Sequence, residues 1–68
     1  MKLSARNVIG GTIVDVRKGQ TTAHVRIDIG GQVITASITN EAVDEMKLAN
    51  GQKVHAVIKA SDVMIATD

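Results

Sequence analysis

The stretch from Thr21 to Ile29 leaves this chain little freedom. Ala23, Val25, Ile27 and Ile29 alternate strictly with Thr22, His24, Arg26 and Asp28, a period of two that marks a half-buried β-strand. A helix would scatter the same apolar residues around its circumference. Gly30-Gly31 follows, and Gln32 to Ile38 then alternates again, with Ile34, Ala36 and Ile38 on one face and Val33, Thr35 and Ser37 on the other. Two alternating runs joined by a glycine pair read as a β-hairpin, because the turns that match strand twist need positive φ at their central residues. The rest of the chain is built outward from this antiparallel pair.

Ahead of it, Val8 to Arg17 places Ile9, Gly11 and Ile13 on one strand face and Val14 and Val16 on the other, so both faces are partly covered. Gly10-Gly11 inside that run indicates a bulge or a close backbone approach, as at a barrel corner. Lys18-Gly19-Gln20 supplies the turn into the second strand. From Thr39 the period changes. Thr39 or Asn40 caps a helix, Glu41, Asp44 and Glu45 complement its positive end, and Val43 with Met46 forms an apolar pair at i, i+3. The helix is expected to end near Leu48, before the Asn50-Gly51 turn. Lys53 to Lys59 makes a fourth strand, with Val54, Ala56 and Ile58 against His55 and Val57, and Val63 to Ala66 a fifth. The expected class is mainly β: a five-stranded OB-like Greek-key barrel with one short helix between strands 3 and 4. An SH3-like barrel shares the strand count but usually lacks that helix.

Sixty-eight residues make one domain, residues 1–68, and at this size only about 60 % of the unfolded chain's surface can be buried. The chain has no Phe, Trp or Tyr to bury large areas and no cysteine for a disulfide staple. With no metal-ligand cluster in the sequence either, the expected remedy for a thin core is assembly with copies of itself. Eight Lys and Arg against seven Asp and Glu, a net charge of +1, disfavour a general polyanion binder. Single-stranded nucleic acid needs aromatic platforms as well, so no nucleic-acid partner is expected. Neither a signal-peptide core nor a membrane-length apolar segment is visible, which points to a soluble cytoplasmic protein with no membrane partner.

Two short stretches carry the chemistry. Ser4-Ala5-Arg6-Asn7 precedes the first strand, and Lys59-Ala60-Ser61-Asp62 sits at the turn after the fourth. Each combines a fixed positive charge, a hydroxyl and nearby backbone N–H groups, a donor-rich set that suits a small oxyanion. The other conspicuous residues have ordinary roles. His24 and His55 lie on polar strand faces without metal-ligand spacing, Glu41, Asp44 and Glu45 complement the helix, and Met46 and Met64 fill core or interface. No Gly-Lys-Ser/Thr loop follows a strand, and no nucleophile, base and oxyanion donor can be assembled, so no enzyme is expected.

The phrase Ser4-Ala5-Arg6-Asn7, then Gly11, Val14 and Lys18-Gly19, the Ile38-Thr39 step into the helix, and Val57-Ile58-Lys59-Ala60-Ser61-Asp62-Val63-Met64 together resemble the molbindin or Mop-domain family across nearly the whole chain. The resemblance implies a cytoplasmic protein that binds molybdate or tungstate, with no organic cofactor, for oxyanion storage or homeostasis. It implies a homohexamer built as a trimer of dimers, with the anions at subunit interfaces. Carried over, the site uses Ser4, Ala5 and Arg6 from one subunit with Thr39, Lys59 and Ala60 from its neighbour. Where the family often has a hydroxyl three residues after the Thr, Ala42 stands here, so that contact is missing or is replaced by a backbone N–H or a water. A second anion site is implied too, and the Lys18-Gly19-Gln20 turn is its candidate. The alternatives are an OB-fold nucleic-acid-binding module and a purely structural oligomerisation module.

Overall fold

The alternating runs become strands. The computed structural model describes residues 3–68. β1 spans Asn7–Lys18, β2 Thr22–Asp28, β3 Val33–Thr39 and β4 Lys53–Ile58, with one helix, α1, over Asn40–Met46 between β3 and β4. All pairings are antiparallel, in the order β3-β2-β1-β4. The long β1 serves two partners: its first half, Asn7 to Thr12, pairs with β4, and its second half, Thr12 to Lys18, with β2.

Two features of β1 curl the sheet. Gly11 sits where a Cβ would lie 2.6 Å from Ile27 Cγ2 and 2.7 Å from the Asp28 carbonyl oxygen, so only a residue without a side chain lets the strands approach this closely. The bulge lies further on, between Ile13 and Asp15. Of the two expectations attached to Gly10-Gly11, the close approach is correct and the bulge is displaced to Val14. The extra residue reverses the parity of the strand. Ile9 and Ile13 face inward before it and Val16 after it, while Val14 is left exposed. That is why the apolar residues of β1 occupy both parities.

The concave side holds the core: Ile13, Ala23, Val25, Ile27, Val43 and Ala56, with Ile9, Val16, Ile29, Ile34, Ile38, Leu48 and Val54 packed around them. Two of the six buried residues are alanines, which add little area, and Ile13 is the largest side chain fully enclosed. Full burial of an Ile or Val is worth about 1.5–3 kcal/mol, so this core is thin for a free-standing domain.

Thr39 caps α1, its Oγ1 accepting from the Ala42 N–H at 3.0 Å. Val43 drives the helix onto the sheet as its one buried residue. Lys47, with φ at 52°, ends it in the left-handed region, and the Leu48 N–H donates to the Val43 carbonyl at 3.0 Å. Met46, expected to pair with Val43, is instead exposed. At the β2–β3 turn both Gly30 and Gly31 have positive φ, 108° and 103°, as a hairpin requires. The Asp28 carboxylate accepts from their N–H groups at 2.9 and 3.0 Å. Those bonds, Gly30's first, hold Asp28 below its ordinary pKa.

The fifth strand does not form within the chain. After β4 comes a single 3₁₀ turn, Ala60–Asp62, and then Val63 to Asp68 has no ladder partner. Val63, Met64 and Ile65 are 52, 92 and 91 % exposed. The residue types are right for a strand, but a strand needs a neighbour, and this chain turns the segment away from its own sheet. The result is a curled four-stranded half-barrel rather than a closed five-stranded one. Its open side is a groove of about 510 Å³ between the free edges of β3 and β4. Among the described residues no helix is long and apolar enough to cross a membrane.

Candidate oxyanion site

The first rung of the β1–β4 ladder, Asn7 opposite Ile58, gathers the two donor-rich stretches at one place. Asn7 Nδ2 donates to the Ile58 carbonyl at 3.2 Å across 51 residues of sequence and secures the rung. Ser4, Ala5 and Arg6 therefore run up to β1 just where Lys59 and Ala60 leave β4. The sequence reading left Asn7 out of the candidate site, yet it is the residue that registers the two stretches on each other. An amide at the first position of a strand is the signal for such a tie.

Apart from Asn7, the side-chain donors here have no partner among the described residues. Ser4, Arg6, Lys59 and Ala60 are exposed and Ala5 is half-buried. Lys59 precedes the 3₁₀ turn with extended backbone, φ −63° and ψ 139°, and its side chain caps nothing. The turn closes through Asp62 N–H to the Lys59 carbonyl, 2.9 Å, and Val63 N–H to the Ala60 carbonyl, 3.2 Å. Among the described residues the ion pairs join Arg17 to Asp15 and Lys18 to Asp44, leaving Arg6 and Lys59 out of any pair.

Thr39 is elsewhere. It pairs with Thr22, whose neighbour Ala23 pairs with Lys18, so it belongs to the far end of the 12-residue β1. At about 3.3 Å per residue the two ends are roughly 35 Å apart along the strand. Five of the six candidates thus share one end of the sheet, and Thr39 lies at the other. Its hydroxyl accepts from Ala42, which leaves its own proton free to donate outward. The Ala42 N–H is consequently not available to replace the hydroxyl that the family pattern has there. The Asn40 N–H is engaged as well, with the Thr21 carbonyl at 2.9 Å.

The Lys18-Gly19-Gln20 turn is equally occupied. Lys18 Nζ is ion-paired with Asp44, the Gly19 N–H donates to the Thr22 carbonyl at 2.7 Å, and the Gly19 carbonyl accepts from Asn40 Nδ2 at 3.0 Å. A second anion there competes with a carboxylate for the lysine. The open groove is no oxyanion pocket either, because aliphatic side chains dominate its walls. Among the described residues no three His, Cys, Asp or Glu side chains converge as metal ligands.

Comparison with known proteins adds what geometry alone cannot. The TOBE domain model matches residues 3–65. A probable molybdenum-pterin-binding protein of Haemophilus influenzae is 41 % identical over 69 residues, covering all of both chains. The solved structure of a molybdate binding protein from Sporomusa ovata superposes with a TM-score of 0.95 at 33 % identity, over 98 % of this chain and 100 % of that one. The cytoplasmic molybdate-binding protein ModG, solved with molybdate bound, gives 0.89 at 42 % identity, over 94 % of this chain and 46 % of that one. A half-barrel with unengaged donors at one end, matched along its length by such relatives, is a TOBE domain. Within that class, the chain belongs to the family of small molybdenum-pterin-binding, or Mop, proteins.

Proposed function

We propose that this chain is an intracellular binding protein, not an enzyme, that holds molybdate or tungstate as the free dianion for storage or homeostasis. The observation that carries the reading is the placement of Arg6 and Lys59, both outside any ion pair among the described residues, at one end of the β1–β4 ladder beside Ser4, Ala5 and Ala60. Thr39 of a second copy completes the site, which makes it interfacial and fits a homohexamer arranged as a trimer of dimers. The Lys18-Gly19-Gln20 turn ranks second as an anion site, since its donors are largely engaged.

Tetrahedral molybdate carries two negative charges and only accepts hydrogen bonds, so its pocket presents N–H and O–H groups and excludes carboxylates. One lysine about 4 Å away contributes on the order of 4 kcal/mol near a surface, before desolvation is subtracted. A single cation is insufficient, and the hydroxyls and backbone donors share the load. Sulfate has the same charge and shape in a smaller body, so donors spaced rigidly for molybdate reach it poorly, while tungstate matches in size. The names of some relatives include a pterin, but this chain has no aromatic side chain to stack on such a ring. A free oxyanion is the ligand its donors suit.

Titration calorimetry with molybdate, tungstate, sulfate, a pterin and a short oligonucleotide tests this. Saturable heat is expected for the first two alone. At a hundredfold excess over the dissociation constant, molybdate should stabilise the fold by roughly 2.7 kcal/mol per site, visible as a rise in Tm. Equal shifts with sulfate would reduce the effect to ionic screening, and no heat with molybdate would end the proposal.

A further inference from the structure

We infer that the outer face of the sheet carries, over Gly10, a site for a free α-amino acid with an apolar side chain, its carboxylate held by Lys53 and Thr12 and its ammonium by Asp28. The site shares no residue with the oxyanion site, so the two stand or fall separately.

Gly10 has no reason within its own chain to be a glycine. It sits inside β1 opposite His55, without the positive φ of Gly30, Gly31 and Gly51. A Cβ there would meet nothing nearer than His55 Cδ2 at 4.0 Å, an ordinary contact, whereas at Gly11 it would collide with Ile27 and the Asp28 carbonyl. A glycine inside a strand weakens it, and one that the fold does not require marks a place where something else approaches the backbone. Gly11 faces the core, so Gly10 faces outward, and it is exposed. Its bare backbone floors a hollow of about 500 Å³. Small-molecule sites commonly enclose roughly 300–1,000 Å³.

The walls of the hollow select the chemistry of its occupant. Thr12 is opposite Lys53 on β4 and opposite Asp28 on β2, so the three form one rung across the sheet. Lys53 Nζ donates to Thr12 Oγ1 at 2.9 Å, which draws the ammonium over β1 and leaves the hydroxyl's own proton to donate. Asp28 Oδ1 accepts from the Gly30 and Gly31 N–H groups at 2.9 and 3.0 Å. Those bonds favour the ionised carboxylate, and Oδ2 has no partner among the described residues. A cation and a carboxylate thus flank one threonine without joining each other, since the ion pairs among the described residues are Arg17–Asp15 and Lys18–Asp44.

Molybdate, a dianion that only accepts hydrogen bonds, is repelled here by Asp28. A simple amine meets Lys53 and a simple carboxylate meets Asp28, so neither is well matched. A zwitterion answers both charges at once, and an α-amino acid carries its two on a single carbon. Its side chain then lies across Gly10 beside His55, where Ile29 and Val54 also line the hollow and favour an apolar group. A neighbouring backbone is the other thing a bare glycine admits, but a passing strand leaves the charges of Lys53 and Asp28 unanswered.

Amide NMR spectra of the isotope-labelled protein, recorded without oxyanion, are titrated with L-leucine and L-phenylalanine through the millimolar range. Saturable shifts are expected at the Gly10, Gly11, Gly30, Lys53 and His55 amides. Isocaproate and isoamylamine, each leucine without one of its charges, should bind about fivefold or more weakly, as befits loss of an exposed ion pair. Gly10→Val fills the floor with a residue that suits strands, so its Tm should hold or rise while the leucine shifts vanish. Lys53→Gln and Asp28→Asn, the latter keeping an acceptor for Gly30 and Gly31, should each weaken leucine binding by a similar factor. No saturable shift with either amino acid, equal binding of the singly charged analogues, or full leucine binding by Gly10→Val would overturn the inference. So would a Gly10→Val protein that light scattering finds smaller than the parent, since the glycine would then serve the backbone of another copy.

Discussion

The two ends of β1 are built from similar residues and put to different use. At the Lys18 end several polar groups have a partner in their own chain: Lys18 with Asp44, Gly19 with Thr22 and Asn40, Thr39 with Ala42. At the Asn7 end, among the described residues, one side-chain bond, Asn7 to Ile58, secures the rung, and Ser4, Arg6 and Lys59 have open donors. A lysine beside a turn is therefore uninformative until its partners are known. Engaged, as Lys18 is, it joins the helix to the end of a strand; without a partner, as Lys59 is among the described residues, it is open to a ligand.

The largest test of that contrast compares two lysines. Lys59→Ala should weaken molybdate binding roughly 30-fold or more, since removing a hydrogen-bonded charge partner costs about 2–5 kcal/mol. Lys18→Ala should change affinity by no more than about twofold, and stability by less than about 1 kcal/mol, because its ion pair is solvent-exposed. Calorimetry on both variants decides, and equal losses would erase the distinction between the ends.

Thr39→Ala is next in size. Loss of the helix cap should lower stability by about 1 kcal/mol in urea unfolding, and Thr39→Ser should restore it. If Thr39 also donates to an anion held by a second copy, the alanine variant binds molybdate more weakly even where both proteins are fully folded, and the serine variant does not. An alanine variant with unaltered affinity would remove Thr39 from the site.

Asp28 gives the smallest effect. Its folded pKa is depressed by the Gly30 and Gly31 N–H groups. The stabilisation is therefore fully present above the unfolded value near 3.8 and is lost as pH falls through the lower folded value. Asp28→Asn should remove that acid-side slope from the Tm and leave molybdate affinity unchanged at pH 7. A slope that persists in the variant would place its origin in another carboxylate.

Much of this was legible beforehand, for local reasons. The alternation of Ala23, Val25 and Ile27 yields β2, Gly30-Gly31 the hairpin, and Thr39-Asn40 the start of the helix, of which Thr39 is the cap, because each depends on a few adjacent residues. The displaced bulge was harder. Gly11 advertises a special position but cannot say which constraint it meets, and at Val14 the parity change looks in sequence like apolar residues on both faces. Val63 to Ala66 is strand-like in composition yet has no strand to join in its own chain, which composition does not encode. The site divided along the same line. Ser4, Arg6 and Lys59 were visible as donor-rich stretches, whereas the separation of Thr39 from them follows only from strand directions. Four antiparallel strands put the end of β3 beside the end of β1, and the end of β4 beside its beginning. Counting those reversals would have shown that Lys59 flanks Arg6 within one chain.

The Asn7–Ile58 bond has a kinetic consequence. The β1–β2 and β2–β3 hairpins close over a few residues and can zip as soon as their turns form, whereas the rung that frames Arg6 and Lys59 must bring together positions 51 residues apart. That end of the sheet is thus expected to assemble last and to open first. Amide hydrogens of β4 should exchange ahead of those in β2, and a bound dianion should slow the former far more than the latter.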